Sequence, residues 1–127
     1  MAVAGHEFSI NRADEASFEG GGLRDYFSYR DLGIKQATDG AFGAQVIRAV
    51  RPCEGGTGRH RHGLGFQMVY VLQGHCRFWY DGQGEVDLAA GDCVHQPPGI
   101  AHEFIGCSTD CELLEITMPA EFSTEEV

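Results

Sequence analysis

Apolar and polar positions alternate along this chain in short runs, and glycine, proline and aspartate break the runs. Side chains alternate across a strand with a period of two, so such runs read as β-strands rather than helices. Ala44 to Val50 is one. Phe66 to Leu72 is the strongest, apolar on both parities and expected to be buried on both faces. Gly74 breaks it, and His75 to Tyr80 follows. Asp81-Gly82-Gln83-Gly84 is a hairpin turn signal that leads into Glu85 to Leu88. Gly91-Asp92 marks another turn, Cys93 to Gln96 a short strand, and Pro97-Pro98-Gly99 a tight bend. His102 to Ile105 and Glu112 to Met118 complete the series.

The ends are less regular. Residues 1–22 read as an arm or short edge strand closed by Gly20-Gly21-Gly22, with one helical turn between Asn11 and Phe18 as an alternative. Leu23 to Ile34, with Tyr26, Phe27 and Tyr29, suits a strand. Pro52 to Gly58 reads as a loop, and the acidic tail from Pro119 as solvated. Roughly eight to ten short strands with frequent turn signals predict an all-β antiparallel sandwich or barrel. No internal repeat interrupts it, so residues 1–127 are expected to form a single domain.

Composition narrows the partners. Acidic residues outnumber basic ones 19 to 9, for a net charge of −10. Such a surface repels phosphate backbones and anionic membranes, so neither nucleic acid nor membrane is an expected partner. No run approaches the roughly 18 apolar residues of a membrane-spanning helix. The start shows no basic and apolar export signal. The five cysteines, Cys53, Cys76, Cys93, Cys107 and Cys111, have no Cys-x-x-Cys spacing. Reduced thiols in the cytoplasm are the expectation.

The candidate chemistry lies in the histidines. His60 and His62 share parity, so both imidazoles reach one metal from one wall while Arg61 points away. Gln67 would fall on the opposite face of a continuous strand, but Gly63-Leu64-Gly65 supplies a bend that returns it inward. His102 arrives from a later strand just after the proline bend. Four ligands from three strand segments can therefore converge.

These residues carry a resemblance to the cupin superfamily. Its first motif is a His-x-His pair, four residues, an acid, six residues and a Gly. Here it reads His60-Arg61-His62, four residues, Gln67, six residues, Gly74. Its second motif reads here as Gly91, five residues, Pro97-Pro98-Gly99, two residues, His102, three residues and Gly106, where the family has Asn. The resemblance implies a double-stranded β-helix (jelly-roll) barrel over about residues 40–118. It also implies a divalent transition metal on His60, His62, Gln67 and His102: Fe, Mn, Ni, Co, Cu or Zn. Gln67 replaces the usual Glu, so the site would keep the full charge of the ion and act as a stronger Lewis acid.

The implied function is a metal-dependent enzyme on a small organic molecule, dioxygenase-like because a three-His site leaves positions open for substrate and O₂. The alternatives are a non-catalytic ligand-binding or sensing cupin and an isomerase or lyase, which would need a further acid or base. Glu115 is the candidate pocket carboxylate, whereas Glu103 is expected to face away from the metal. Arg48, Arg51, Arg59 and Arg77 read as solvated, with Arg48 in an apolar strand as the one to watch for anion binding. A homodimer is expected through pairing of the Leu23 to Ile34 stretch with a partner's sheet edge.

Overall fold

The computed structural model describes residues 4–13, 18–20, 26–51 and 56–127. Its elements in chain order are β1 (Phe27–Asp31), α1 (Ile34–Ala37), β2 (Gly43–Ala49), β3 (His60–Gly63), β4 (Phe66–Gln73), β5 (His75–Tyr80), β6 (Gly84–Ala89), β7 (Cys93–His95), β8 (His102–Cys107), β9 (Glu112–Met118) and β10 (Ser123–Glu126). The strands form two antiparallel sheets, ordered β1-β2-β9-β4-β7 and β10-β3-β8-β5-β6. This is the all-β jelly roll, with both sheets turning their inner faces to one core.

Glycines make the crossings between sheets. Gly63-Leu64-Gly65 carries the chain from β3 in the second sheet to β4 in the first. Gly74 returns it to β5 with φ at +75°, and a Cβ there would lie 2.7 Å from Asp110 Oδ1 and 3.0 Å from the Cys111 Cα. Only a residue without a side chain fits that corner unstrained.

The core is built from the inward parity of the strands. Val69 and Val71 of β4, Cys76, Phe78 and Tyr80 of β5, Phe104 of β8 and Leu113 of β9 are buried together. Phe104 meets Phe78 and Phe27 edge-on, with ring centroids 5.0 and 5.2 Å apart. Edge-to-face pairs of this kind add to what burial of the rings supplies.

Three readings change in detail. The Leu23 to Ile34 stretch is β1 over Phe27–Asp31 followed by the single helical turn α1, and Leu23 to Asp25 lie outside the described residues. The helical turn considered between Asn11 and Phe18, the loop from Pro52 to Gly58 and the Gly20 to Gly22 joint lie largely outside them too. β4 is buried on one face only: Gln67, Val69 and Val71 point inward, while Tyr70 and Leu72 are exposed on the outer face. The tail from Pro119 is not simply solvated. Its last residues form β10, which pairs with β3 in the register Thr124 to His62.

Candidate metal centre

His60 and His62 stand on β3 and His102 on β8, where His60 and His102 are cross-strand partners. One nitrogen from each of the three rings lies within 4.8 Å of the others. The ring centroids are 4.4 to 4.9 Å apart. Arg61, between the pair, is exposed. The i, i+2 reading of one inward wall therefore holds.

Each ring is tethered by its other nitrogen. His60 Nδ1 lies 3.0 Å from the Gly58 carbonyl and His102 Nδ1 lies 3.1 Å from the Ile100 carbonyl. A carbonyl only accepts, so both rings carry a proton on Nδ1 and keep a lone pair on Nε2. His62 Nδ1 lies 3.0 Å from Thr124 Oγ1, supplied by β10. The proline bend shapes one tether, since Ile100 follows Gly99 and donates its N–H to the Pro97 carbonyl at 3.1 Å. Glu103 shapes another: it accepts the Gly58 N–H at 2.9 Å and faces away from the cavity, as expected.

Electrostatics favour the neutral form of His62 and His102. Burial, then the charges of His102 and His60, hold His62 at about 4 against an ordinary 6.5, with a hydrogen bond to the Ser123 backbone opposing. Burial also lowers His102, with the Ile100 carbonyl opposing and His60 adding to the fall. Neutral imidazoles with outer nitrogens fixed by acceptors are the form in which histidine ligates a metal. The donor set thus fits a divalent transition ion.

The opposite wall comes from the first sheet. Gln67 is 3% exposed, and its Nε2 donates to Glu115 Oε2 at 3.0 Å. Glu115 Oε1 accepts from Gln45 Nε2 at 2.9 Å. The register explains the contacts. Glu115 is the cross-strand partner of both Gln45 and Val69, and Gln67 is its diagonal neighbour. Burial raises the Glu115 carboxyl, against the opposing bonds from Gln45 and Gln67. A second carboxylate at position 67 would face Glu115 across a hydrogen-bond distance. The neutral amide avoids that repulsion, which accounts for Gln where the family motif carries an acid.

These two walls enclose a cavity of about 400 Å³ lined by His60, His62, His102, Gln67, Gln45 and Glu115 among mostly apolar and aromatic side chains. No lysine or arginine lines it among the described residues. Arg48 stacks over Phe18 at 3.7 Å and lies 3.6 Å from Glu112, so its place in an apolar strand is on the outer parity. Arg59 covers the Trp79 ring, Arg77 forks onto Asp87, and Arg51 is exposed. Cys76, Cys93, Cys107 and Cys111 lie outside the cavity lining, and Cys53 is outside the described residues.

Sequence reasoning missed Gln45, Thr124 and Phe122. Gln45 shares inward parity with Ile47, a signal that was present. Phe122 packs its ring 4.9 Å from that of His62, and nothing local to the acidic tail announced it.

The cupin-domain family model matches residues 47–117, which spans both histidine motifs. The chain is a cupin. Solved structures of similar shape agree on the fold. The polyketide cyclase RemF from Streptomyces resistomycificus is 21% identical with a TM-score of 0.75, over 95% of this chain and 86% of that one. A cupin-superfamily sugar phosphate isomerase from Silicibacter pomeroyi is 21% identical with a TM-score of 0.75, over 94% and 81%. The Streptomyces nucleoside dehydratase Pac13 is 15% identical with a TM-score of 0.68, over 95% and 91%. A search of curated proteins gave no match. This cupin extends beyond the matched core at both ends, since β1 and β10 add edge strands to the two sheets.

Proposed function

We propose that this cupin binds one divalent transition metal through His60, His62 and His102, with the Gln67 amide oxygen as a fourth ligand. We further propose that it catalyses non-oxidative proton transfer on a small, largely apolar organic molecule, in an isomerisation, elimination or cyclisation. The observation that carries the reading is Glu115, a carboxylate held by two amides in the wall that faces the imidazoles. An oxygenase needs no such group, whereas an isomerase or lyase does.

A divalent ion here supplies Lewis acidity to a substrate oxygen. The protein's own residues do the rest. Glu115 takes a proton at Oε1 or Oε2 or gives one back, with its raised affinity for protons suited to both. Gln45 and Gln67 fix the carboxyl plane. Ile47, Val69 and Leu113 line the space between the walls and exclude water. The neighbours named as a cyclase, an isomerase and a dehydratase are consistent with this class of reaction.

The dioxygenase reading stands second, because three imidazoles leave coordination positions open for O₂. Elemental analysis of protein purified without added metal comes first and is expected to find one transition metal per chain. Substrate screens run with and without O₂ then separate the readings. Anaerobic turnover with deuterium incorporation from D₂O is the expected result, and turnover that stops without O₂ refutes it.

Three further proposals concern the whole chain. Residues 1–127 act as one unit, in a reducing compartment where the cysteines stay thiols, and the molecule is a homodimer. The pairing expected from Leu23 to Ile34 finds little support: Phe27 is in the core, Tyr29 lines the cavity, and the free edge of β1 is bridged by Glu19. The exposed outer face of the first sheet, with Tyr70, Leu72 and Met118, supports a dimer better.

A further inference from the structure

We infer that Thr124 is a positioning residue for the metal centre, delivered by a C-terminal strand that lies beyond the matched cupin core. The inference rests on the metal reading of the three histidines. His60 and His102 are tethered by backbone carbonyls close to them in sequence, at Gly58 and Ile100. His62 has its tether from 62 residues away, through the Thr124 hydroxyl at 3.0 Å. The family match ends at residue 117, whereas β10 begins at Ser123.

Two independent contacts bring this segment to the ring. Thr124 is the cross-strand partner of His62, and the Phe122 ring meets the His62 ring edge-on at 4.9 Å. Both residues also line the cavity. β10 pairs with β3 alone and its four residues are exposed, so its place depends on one ladder.

The chemistry of the tether differs from the other two. A carbonyl forces the proton onto Nδ1, whereas a hydroxyl either accepts from Nδ1–H or donates to a bare Nδ1. Thr124 therefore serves His62 in both tautomers. With zinc on Nε2, the ring donates Nδ1–H to Oγ1. Without zinc, Oγ1–H can donate to Nδ1 and leave the proton on Nε2. The side chain supplies orientation in either case, and its loss leaves the ring with the Ser123 backbone contact and the edge-on packing of Phe122 but without its cross-strand hydroxyl.

The test compares wild type with Thr124→Val, which keeps the shape, and Thr124→Ser, which keeps the hydroxyl. Zinc dissociation constants are measured by competition with a chelating dye, and the His62 tautomer by long-range ¹H–¹⁵N spectra of zinc-loaded and zinc-free protein. Partners of ligating histidines are worth about 10- to 100-fold in affinity. Thr124→Val is expected to weaken zinc about tenfold or more and to change the His62 ring signals, with unchanged His60 and His102 signals. Thr124→Ser is expected to stay within about twofold of wild type. Equal affinity and equal ring signals in Thr124→Val overturn the inference, as does a Ser variant as weak as the Val variant. If wild type takes no zinc while the zinc-free His62 signals still respond to Thr124→Val, the tether is supported and the metal reading falls. Thermal melts of all three variants detect unfolding, and the ring signals of a folded Ser variant keep the comparison decisive.

Discussion

Gln67 and Glu115 meet diagonally across β4 and β9, and their pairing sets what substitution does at either position. Gln67→Glu places two carboxyls at hydrogen-bond distance. Without metal that variant is expected to melt lower than wild type, because like charges forced together destabilise the fold. With zinc it is expected to bind about tenfold tighter or more, since a charged oxygen then faces a dication and each tenfold is about 1.4 kcal/mol. Unchanged or weaker zinc affinity would remove Gln67 from the ligand set. Glu115→Gln keeps the shape and deletes the base, so turnover on any substrate found should fall about 100-fold or more while metal content stays the same. The imidazoles set the acid limit. The unfolded chain protonates His62 near 6.5 and the folded one near 4, so zinc-free protein should lose stability as pH falls through that window. Melts of chelator-treated protein between pH 7 and pH 4 check the direction. Much of this was legible residue by residue: a His-x-His pair on one parity, His102 after a proline bend, and a carboxylate on the last strand of the motif region. Thr124 and Phe122 were not, because Ser-Thr-Glu-Glu carries no apolar alternation and its role comes from a partner 62 residues away.

Among the elements, the crossings matter as much as the strands. Strand-by-strand reading finds most of the ladder and a bend at Gly63 to Gly65 that returns Gln67 inward, but it does not assign the two sides of the bend to different sheets. The bend in fact changes sheets, and so His62 and Gln67 approach the cavity from opposite sides. The β4 prediction erred for a related reason. Apolar residues on both parities suggest burial on both faces, yet Tyr70 and Leu72 stay exposed among the described residues. Gly74 is the sharpest test of a crossing. Gly74→Ala must hold a side chain at φ +75° and push against Asp110 and the Cys111 backbone. A loss of about 1–3 kcal/mol is expected from chemical denaturation. Gly82→Ala, which meets nothing within 4 Å although it shares a positive φ, should cost less and so separates crowding from backbone strain.

For the whole molecule, the charge of −10 keeps copies apart except where the surface is apolar. Sedimentation is expected to give a dimer mass at micromolar concentration, and Leu72→Lys to shift it toward monomer without loss of bound zinc. A monomeric wild type would defeat the proposal. The two sheets also divide the labour of the site. The imidazoles belong to one and the Gln67–Glu115–Gln45 chain to the other, with the cavity between them. Among the described residues no hydrogen-bonded ladder spans that gap, so its width is a property of volume rather than of register. Voids are what hydrostatic pressure acts upon. Squeezing the protein should draw acid and imidazole together before any strand melts, which would make catalytic rate in this molecule a barometer of its own empty space.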